Sequence, residues 1–173
     1  MTTTTDALEV DRGDTSVTRL VTDTLPDADD LPDGQVRMRV DRLAITANTV
    51  TYAEMGDMLG YWDFYPTGDD TWGRVPAMGW ADVTASAHPD VEAGGRYYGW
   101  FPVVGTVDLS VTPTRHGLRD DGEHRHAHAP VYRTFEDTRT DPLAPTGFVD
   151  AVELGDLEDR QALLRGLFLT GFL

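Results

Sequence analysis

The sequence predicts a mainly β domain with few helices, and three observations predict it. Val36, Met38 and Val40 alternate with Arg37, Arg39 and Asp41, the period of two that turns one face of a strand inward. Strand-forming runs recur at 75–86, 96–102 and 107–112, divided by the turn formers His88-Pro89 and Gly94-Gly95. The chain has 173 residues, of which 40% are hydrophobic, enough for one core and one domain.

Taken in order, residues 1–15 are polar and read as a disordered N-terminus. Arg19-Leu20-Val21-Thr22 is expected to pair with 36–40 across the acidic turn from Pro26 to Gly34. A short helix over 49–59 follows from Val50, Met55 and Leu59 near helical spacing, with Asn48 as its cap. The strands then complete a β-rich unit spanning 16–150. Over 151–173 the pattern changes to one helical stretch, from Leu154 and Leu157 through Leu163, Leu164 and Leu167, growing more apolar toward GLFLTGFL. Such an end must be covered, by folding back on the barrel, by another chain, or by a further domain.

Charge narrows the partners. The chain has no lysine; its 14 arginines face 30 acids, for a net charge of -16 and a pI near 4.4. A surface this acidic repels itself in dilute buffer and is tolerable where molar salt shortens the screening length to roughly 3 Å. The acids are spread along the chain, so the composition points to a halophilic cytoplasm and not to an acidic tail. With no basic cluster of more than two arginines the chain is not expected to bind nucleic acid. It has no cysteine, hence no disulfide, thiolate nucleophile or Cys-ligated zinc. No run approaches the roughly 18 apolar residues of a membrane span, and no basic, apolar leader opens the chain; a cytoplasmic protein without a membrane partner is expected.

Several residues carry possible chemistry. Asn48, the one asparagine, either caps the helix or donates from its amide to a substrate oxygen. Tyr52, one turn on, is a second donor or a packed helix-face ring. Tyr61, Trp62 and Phe64, in a loop bounded by Gly60 and Pro66, and Trp80 and Trp100 on strands, either pack or present rings to a planar substrate. His124, His126 and His128 would share one face if the segment were a strand, where they could hold a metal ion; the flanking Gly122 and Pro130 point instead to a loop.

The stretches Asp33-Gly34-Gln35-Val36-Arg37-Met38-Arg39-Val40 with Leu43 to Asn48, Val75-Pro76-Ala77-Met78-Gly79-Trp80-Ala81-Asp82-Val83, and Val91-Glu92-Ala93-Gly94-Gly95-Arg96-Tyr97 resemble, in order, the opening of a medium-chain dehydrogenase/reductase. A nearer resemblance is to an uncharacterised, domain-of-unknown-function branch of that superfamily. It rests on Thr46 to Tyr52, Gly60 to Pro66, Trp72 to Pro76, His124-Arg125 with Pro130-Val131-Tyr132, and Leu163-Leu164-Arg165 with Leu167-Phe168. The resemblance implies a GroES-like, partly open β-barrel on the substrate side of a two-domain reductase, with NADPH or NADH held by a Rossmann domain. No G-x-G-x-x-G follows any strand here, so the chain is expected to be catalytically incomplete alone.

At the places where zinc members carry Cys and a His-Glu pair, this chain has Asn48, Trp80 and Ala81, which supply no catalytic zinc site. The resemblance therefore implies a zinc-independent, quinone-reductase-like enzyme, with Asn48 and Tyr52 as oxygen-side donors and the aromatic loop shaping the pocket for a small molecule. The expected partner is a Rossmann-fold domain, or a second copy joined through the C-terminal helix. The alternative is a stand-alone small-molecule or protein-binding barrel without redox chemistry. A metal-binding barrel built on the histidine run ranks last.

Overall fold

The computed structural model describes residues 3–141, 155–161 and 164–165. Their architecture is mainly β. Strand β1 (Thr3–Asp11) is flanked by β2 (Thr18–Leu25) and the two-residue β4 (Trp72–Gly73) in a three-stranded antiparallel sheet. The other six strands are β3 (Gln35–Ala44), β5 (Pro76–Ser86), β6 (Arg96–Pro102), β7 (Thr106–Thr114), β8 (Gly117–Asp120) and β9 (Thr134–Asp137). They form a closed barrel in the order β3-β5-β6-β9-β8-β7. Between β3 and β4 lie two short helices, α1 (Ala47–Glu54) and α2 (Gly56–Leu59). The expected strands at 75–86, 96–102 and 107–112 are all present, but the barrel is closed where a partly open one was expected.

Barrel closure rests on a close approach of β3 and β5. The register slips between Val40 and Arg42, which leaves Asp41 as the extra residue of a bulge. Gly79 of β5 lies against that bulge: a Cβ there would stand 1.8 Å from the Arg42 carbonyl oxygen. Within the barrel, Val36, Met38, Ala81, Val83, Phe101, Leu109, Val111, Leu118 and Phe135 form the main core, joined by Phe64 and Tyr65 from the loop after α2. Phe101 stacks on Phe135 at 4.9 Å between ring centres. Such interdigitated packing leaves no room for added atoms.

The N-terminus differs from expectation, because Thr3–Asp11 is the central strand of the smaller sheet and not a disordered tail. Its buried residues are Thr5, Ala7 and Glu9 on one face and Val10 at its end, so the alternating face carries almost no hydrophobicity. Glu9, only 3% exposed, is held by Arg19 and Arg74 at 2.7 and 2.9 Å. β1 also ties the small sheet to the barrel, with Leu8 N donating to Val103 O and Gly105 N to Asp6 O. It is β1 that takes β2 as partner; the expected pairing of 19–22 with 36–40 does not form, and β3 pairs with β5 and β7 instead.

The helix expected over 49–59 is broken after Glu54, and its buried face is not the one its apolar spacing suggested. Thr49, Tyr52 and Ala53 turn inward, while Val50 and Leu59 remain exposed. Its cap is Thr46, whose side chain accepts from Asn48 N as Thr49 Oγ1 accepts from Thr46 N; Asn48 sits one residue inside the helix. Gly60, at a φ of 70°, ends α2 in the left-handed conformation that favours glycine.

Residues 155–161 and 164–165 are helical and dock on the barrel through charge. Glu158 takes a paired contact from Arg96 at 2.8 and 2.7 Å, and Arg165 lies over the rings of Tyr98 and Trp80 while pairing with Asp141. Leu164 is 55% exposed. The apolar end GLFLTGFL, residues 166–173, lies outside the described residues.

Replacing Gly79 by Ala should destabilise the barrel by roughly 3 kcal/mol or more, since the atom it meets is backbone and cannot rotate away. A urea unfolding midpoint checks this; a variant as stable as the parent would show that the bulge does not need the glycine.

Candidate functional site

The first turn of α1 lies over the barrel wall where Ala44 of β3, Met78 of β5 and Trp100 of β6 meet. The resulting cleft is bounded by Thr46, Asn48, Thr49 and Tyr52 on the helix side. It is small, with about 10 Å³ of room for the centre of a water-sized sphere, which suits a single oxygen atom and excludes a ring. No residue lining it is charged.

Two hydrogen-bond donors in this wall are buried without a partner among the described residues: the Tyr52 hydroxyl and the Trp100 indole N–H. A buried unsatisfied donor costs about 1–3 kcal/mol, and native structures keep few of them. The rings that carry them meet edge to face, 5.0 Å apart. Tyr61 closes on Tyr52 at 4.8 Å and Tyr132 on Trp100 at 5.2 Å, while the Tyr61 and Tyr132 hydroxyls contact each other at 3.3 Å. Burial, and then the neighbouring phenols of Tyr132 and Tyr61, push the Tyr52 hydroxyl above its ordinary value, so it keeps its proton and can only serve as a neutral donor or acceptor.

The structure therefore brings together two of the positions singled out from the sequence, Asn48 and Tyr52, and sets Tyr61 behind Tyr52. The other aromatic residues pack behind or away from the cleft: Trp80 shares the buried cluster of Tyr52 and Trp100, and Phe64 backs Tyr61 and Tyr132. Trp62 is 2% exposed and wedged between Gly56 and Gly73, packing with Val10, Ala53 and Val75. Phe64 belongs to the barrel core. Trp80 is buried beside Tyr98, at 4.5 Å, on the wall that Arg165 covers. Trp100 completes the donor pair; one of four aromatic residues on β6, it reads from the sequence only as a ring that packs or stacks, because only the β5–β6 register, which sets Trp100 opposite Met78, delivers its indole N–H to α1.

Behind the aromatic wall stands a buried cation. Arg125 is wholly buried, 3.3 Å from Asp120, with its guanidinium donating to the carbonyls of Phe64 and Tyr132 and lying over the rings of Phe64 and Tyr65. It thereby holds both the Tyr61–Phe64 turn and the Pro130–Tyr132 turn, which carry two of the site's rings. Its neighbours in the histidine run do not share a face, since Glu123–Arg125 is a 3-10 turn. His126 Nε2 contacts Asp121 O at 3.1 Å and His128 Nε2 contacts Gly60 O at 3.2 Å. Among the described residues no three His, Asp or Glu side chains converge on a possible metal position.

With this geometry in view, comparison with known families returns one match, over residues 43–173, to the family described as "Protein of unknown function (DUF2855)". The chain belongs to the DUF2855 family. The match covers the helix, the barrel strands from the end of β3 onward and both turns held by Arg125, so the cleft lies within the DUF2855 region. No match is found among curated proteins. Among the described residues no helix is long and apolar enough to cross a membrane.

His128 provides a pH test of this packing. Burial lowers its pKa below the ordinary 6.5, outweighing the hydrogen bond to Gly60 O. The folded protein then holds the ring neutral while the unfolded chain accepts a proton as pH falls below about 6.5. Stability should be independent of this group above that pH, decline on acidification, and reach its full loss below the folded-state value. Urea midpoints from pH 8 to 5 should show His128→Gln losing less stability than the parent; parallel curves would refute the assignment.

Proposed function

We propose that the chain is the substrate-side barrel of a zinc-independent, medium-chain-type reductase, catalytically incomplete alone, whose cleft receives the carbonyl oxygen of a small molecule. The observation that carries the reading is the pair of buried donors, Tyr52 Oη and Trp100 Nε1, without a partner among the described residues and carried by two residues that line the cleft. Two neutral donors in a water-poor site suit a neutral acceptor such as a carbonyl; a carboxylate or phosphate would lack a countercharge. Asn48, at the rim in the first turn of α1, adds an amide to the same approach.

In this reading the chain orients and polarises. A substrate oxygen entering the cleft accepts from Tyr52 and Trp100, while its ring system stays outside the mouth, because the cleft admits only one oxygen-sized atom. Donors held rigidly by surrounding rings gain catalytic strength as negative charge builds on that oxygen. NADPH or NADH, the hydride source of such an enzyme, does not fit the residues described: all their strand pairings are antiparallel and no G-x-G-x-x-G follows a strand. Hydride delivery thus calls for a Rossmann domain beyond the described residues or on a partner. The same observation favours, as second reading, a binding barrel that takes the carbonyl compound without reducing it.

The test is tryptophan-fluorescence titration of the purified chain in molar salt with 2-methyl-1,4-naphthoquinone and, as the oxygen-free control, 2-methylnaphthalene. The quinone should bind about tenfold tighter or better, a difference that Tyr52→Phe and Trp100→Phe each reduce severalfold. Tyr52→Phe should leave thermal stability unchanged or raised, since it removes a buried unpaired hydroxyl. Equal affinity for the two probes would overturn the assignment of the cleft. Because hydride delivery needs a Rossmann domain, the two readings are separated with such a domain present: NADPH consumption with the quinone there supports the reductase, and quinone binding without consumption supports the binding barrel.

A further inference from the structure

The outer edge of β2 carries an inference independent of the cleft. β2 is the last strand of its sheet, and among the described residues no strand pairs with its far side. Natural edge strands are usually blunted by lysine, proline, a bulge or inward-pointing charges. β2 has no lysine, proline or bulge, its register with β1 running without interruption from Thr3↔Leu25 to Val10↔Thr18, and its two charges, Arg19 and Asp23, are each paired, with Glu9 and Arg74. In a chain of net charge -16 the strand holds one arginine and one aspartate, so it is locally neutral. Leu20 on it is 77% exposed.

The hydrogen-bond phase of this edge can be read from the ladder. Asp11 N donates to Val17 O, which makes Asp11 and Val17 a hydrogen-bonded pair; by the antiparallel alternation, Arg19, Val21, Asp23 and Leu25 likewise turn their peptide groups toward β1. The opposite phase on β1 agrees, with Leu8 N and Asp6 O bonded on the side away from β2. Thr18, Leu20, Thr22 and Thr24 therefore present their N–H and C=O groups outward.

We propose that β2 pairs antiparallel with β2 of a second copy of this chain, about a two-fold axis through Val21, so that two three-stranded sheets merge into one. This register is selected by the sequence itself. It sets Leu20 opposite Thr22 and Thr18 opposite Thr24 as the hydrogen-bonded pairs, as the outward peptide groups require. On the other face Val21 meets Val21, and Val17 meets Leu25. Arg19 meets Asp23 twice, once on each side of the axis, opposite charges directly across the strands. Registers shifted by two residues keep the hydrogen-bond phase but shorten the overlap and lose both charge pairs. The pairing is isologous and closes at two copies. Arg19 and Asp23 are already oriented by Glu9 and Arg74, at 2.7 and 2.8 Å, and Arg19 lies 4.0 Å over the Trp72 ring. The strong like charge of the rest of each copy makes the association depend on salt: it should tighten as salt rises from about 0.1 M to about 1 M and screening shortens.

Sedimentation equilibrium of the full chain in molar salt should give twice the 19.1 kDa mass, falling toward the monomer in dilute buffer. Thr22→Pro removes an outward N–H and leaves the backbone bonds to β1 intact, giving up only the hydroxyl bond from Thr22 to the Asp6 carboxylate, so it should yield a monomer with unchanged circular dichroism. A monomeric parent chain at the highest soluble concentration, or a dimer that Thr22→Pro leaves intact, overturns the proposal. Cross-linking reads the register without relying on the proline variant, since the chain has no cysteine of its own. At the axis the Val21 Cα atoms would be about 4.5 Å apart, within disulfide reach. Val21→Cys should give a disulfide-linked dimer under mild oxidation and Leu20→Cys should not; cross-linking of both equally, or of neither, defeats the assigned register.

Discussion

The wholly buried Arg125 is the constraint on which the candidate site depends. It faces Asp120 at 3.3 Å and satisfies two carbonyls, those of Phe64 and Tyr132, from segments about sixty and seven residues away in the chain. An ion pair out of water is costly unless such extra bonds are made, and here they are made to the two turns that present Tyr61 and Tyr132. Those rings in turn pack around Tyr52 and Trp100. The dry surroundings of two unpaired donors thus trace back to one guanidinium at the barrel's end, a structural use of the His124-Arg125 motif.

Charge organises the rest of the molecule in the same manner. Glu9 with Arg19 and Arg74 fastens the small sheet. Glu158 with Arg96 fastens the C-terminal helical residues, and Asp41, released by the β3 bulge, reaches Arg96 at 2.7 Å. Arginine suits these places because its planar fork meets two carboxylates at once and its face lies flat on Trp72, Tyr98 or Phe64. A chain without lysine has spent many of its few cations internally, which leaves the acidic excess on the surface.

Most barrel strands were legible because their inward positions are apolar: Val36, Met38, Ala81, Val83 and Phe101 announce themselves by alternation. β1 was not, since its alternating inward residues are Thr5, Ala7 and Glu9, and what orders it is backbone pairing, a buried ion cluster and the apolar packing of Val10 with Trp62. The helix face failed for a related reason. Val50 and Leu59 suggested an apolar stripe, but the barrel wall under α1 takes the aromatic Tyr52 and the small Thr49 and Ala53. Of the cleft, Asn48 and Tyr52 could be named as donors from the order of motifs, while Trp100 was legible only as a ring that packs or stacks, because its partner in the cleft lies 48 positions earlier and only cross-strand register joins them.

By itself the sequence determined the mainly β class, the absence of any thiol chemistry, the acidic field and the lack of a dinucleotide fingerprint, for these follow from residue type and short-range period. The tertiary structure alone decided that β2 pairs with β1 and not β3, that the barrel closes, that the three histidines part company, and that Tyr52 and Trp100 keep buried donors without a partner among the described residues. These are outcomes of competition between distant segments for the same hydrogen bonds and the same space, and no local pattern records who wins.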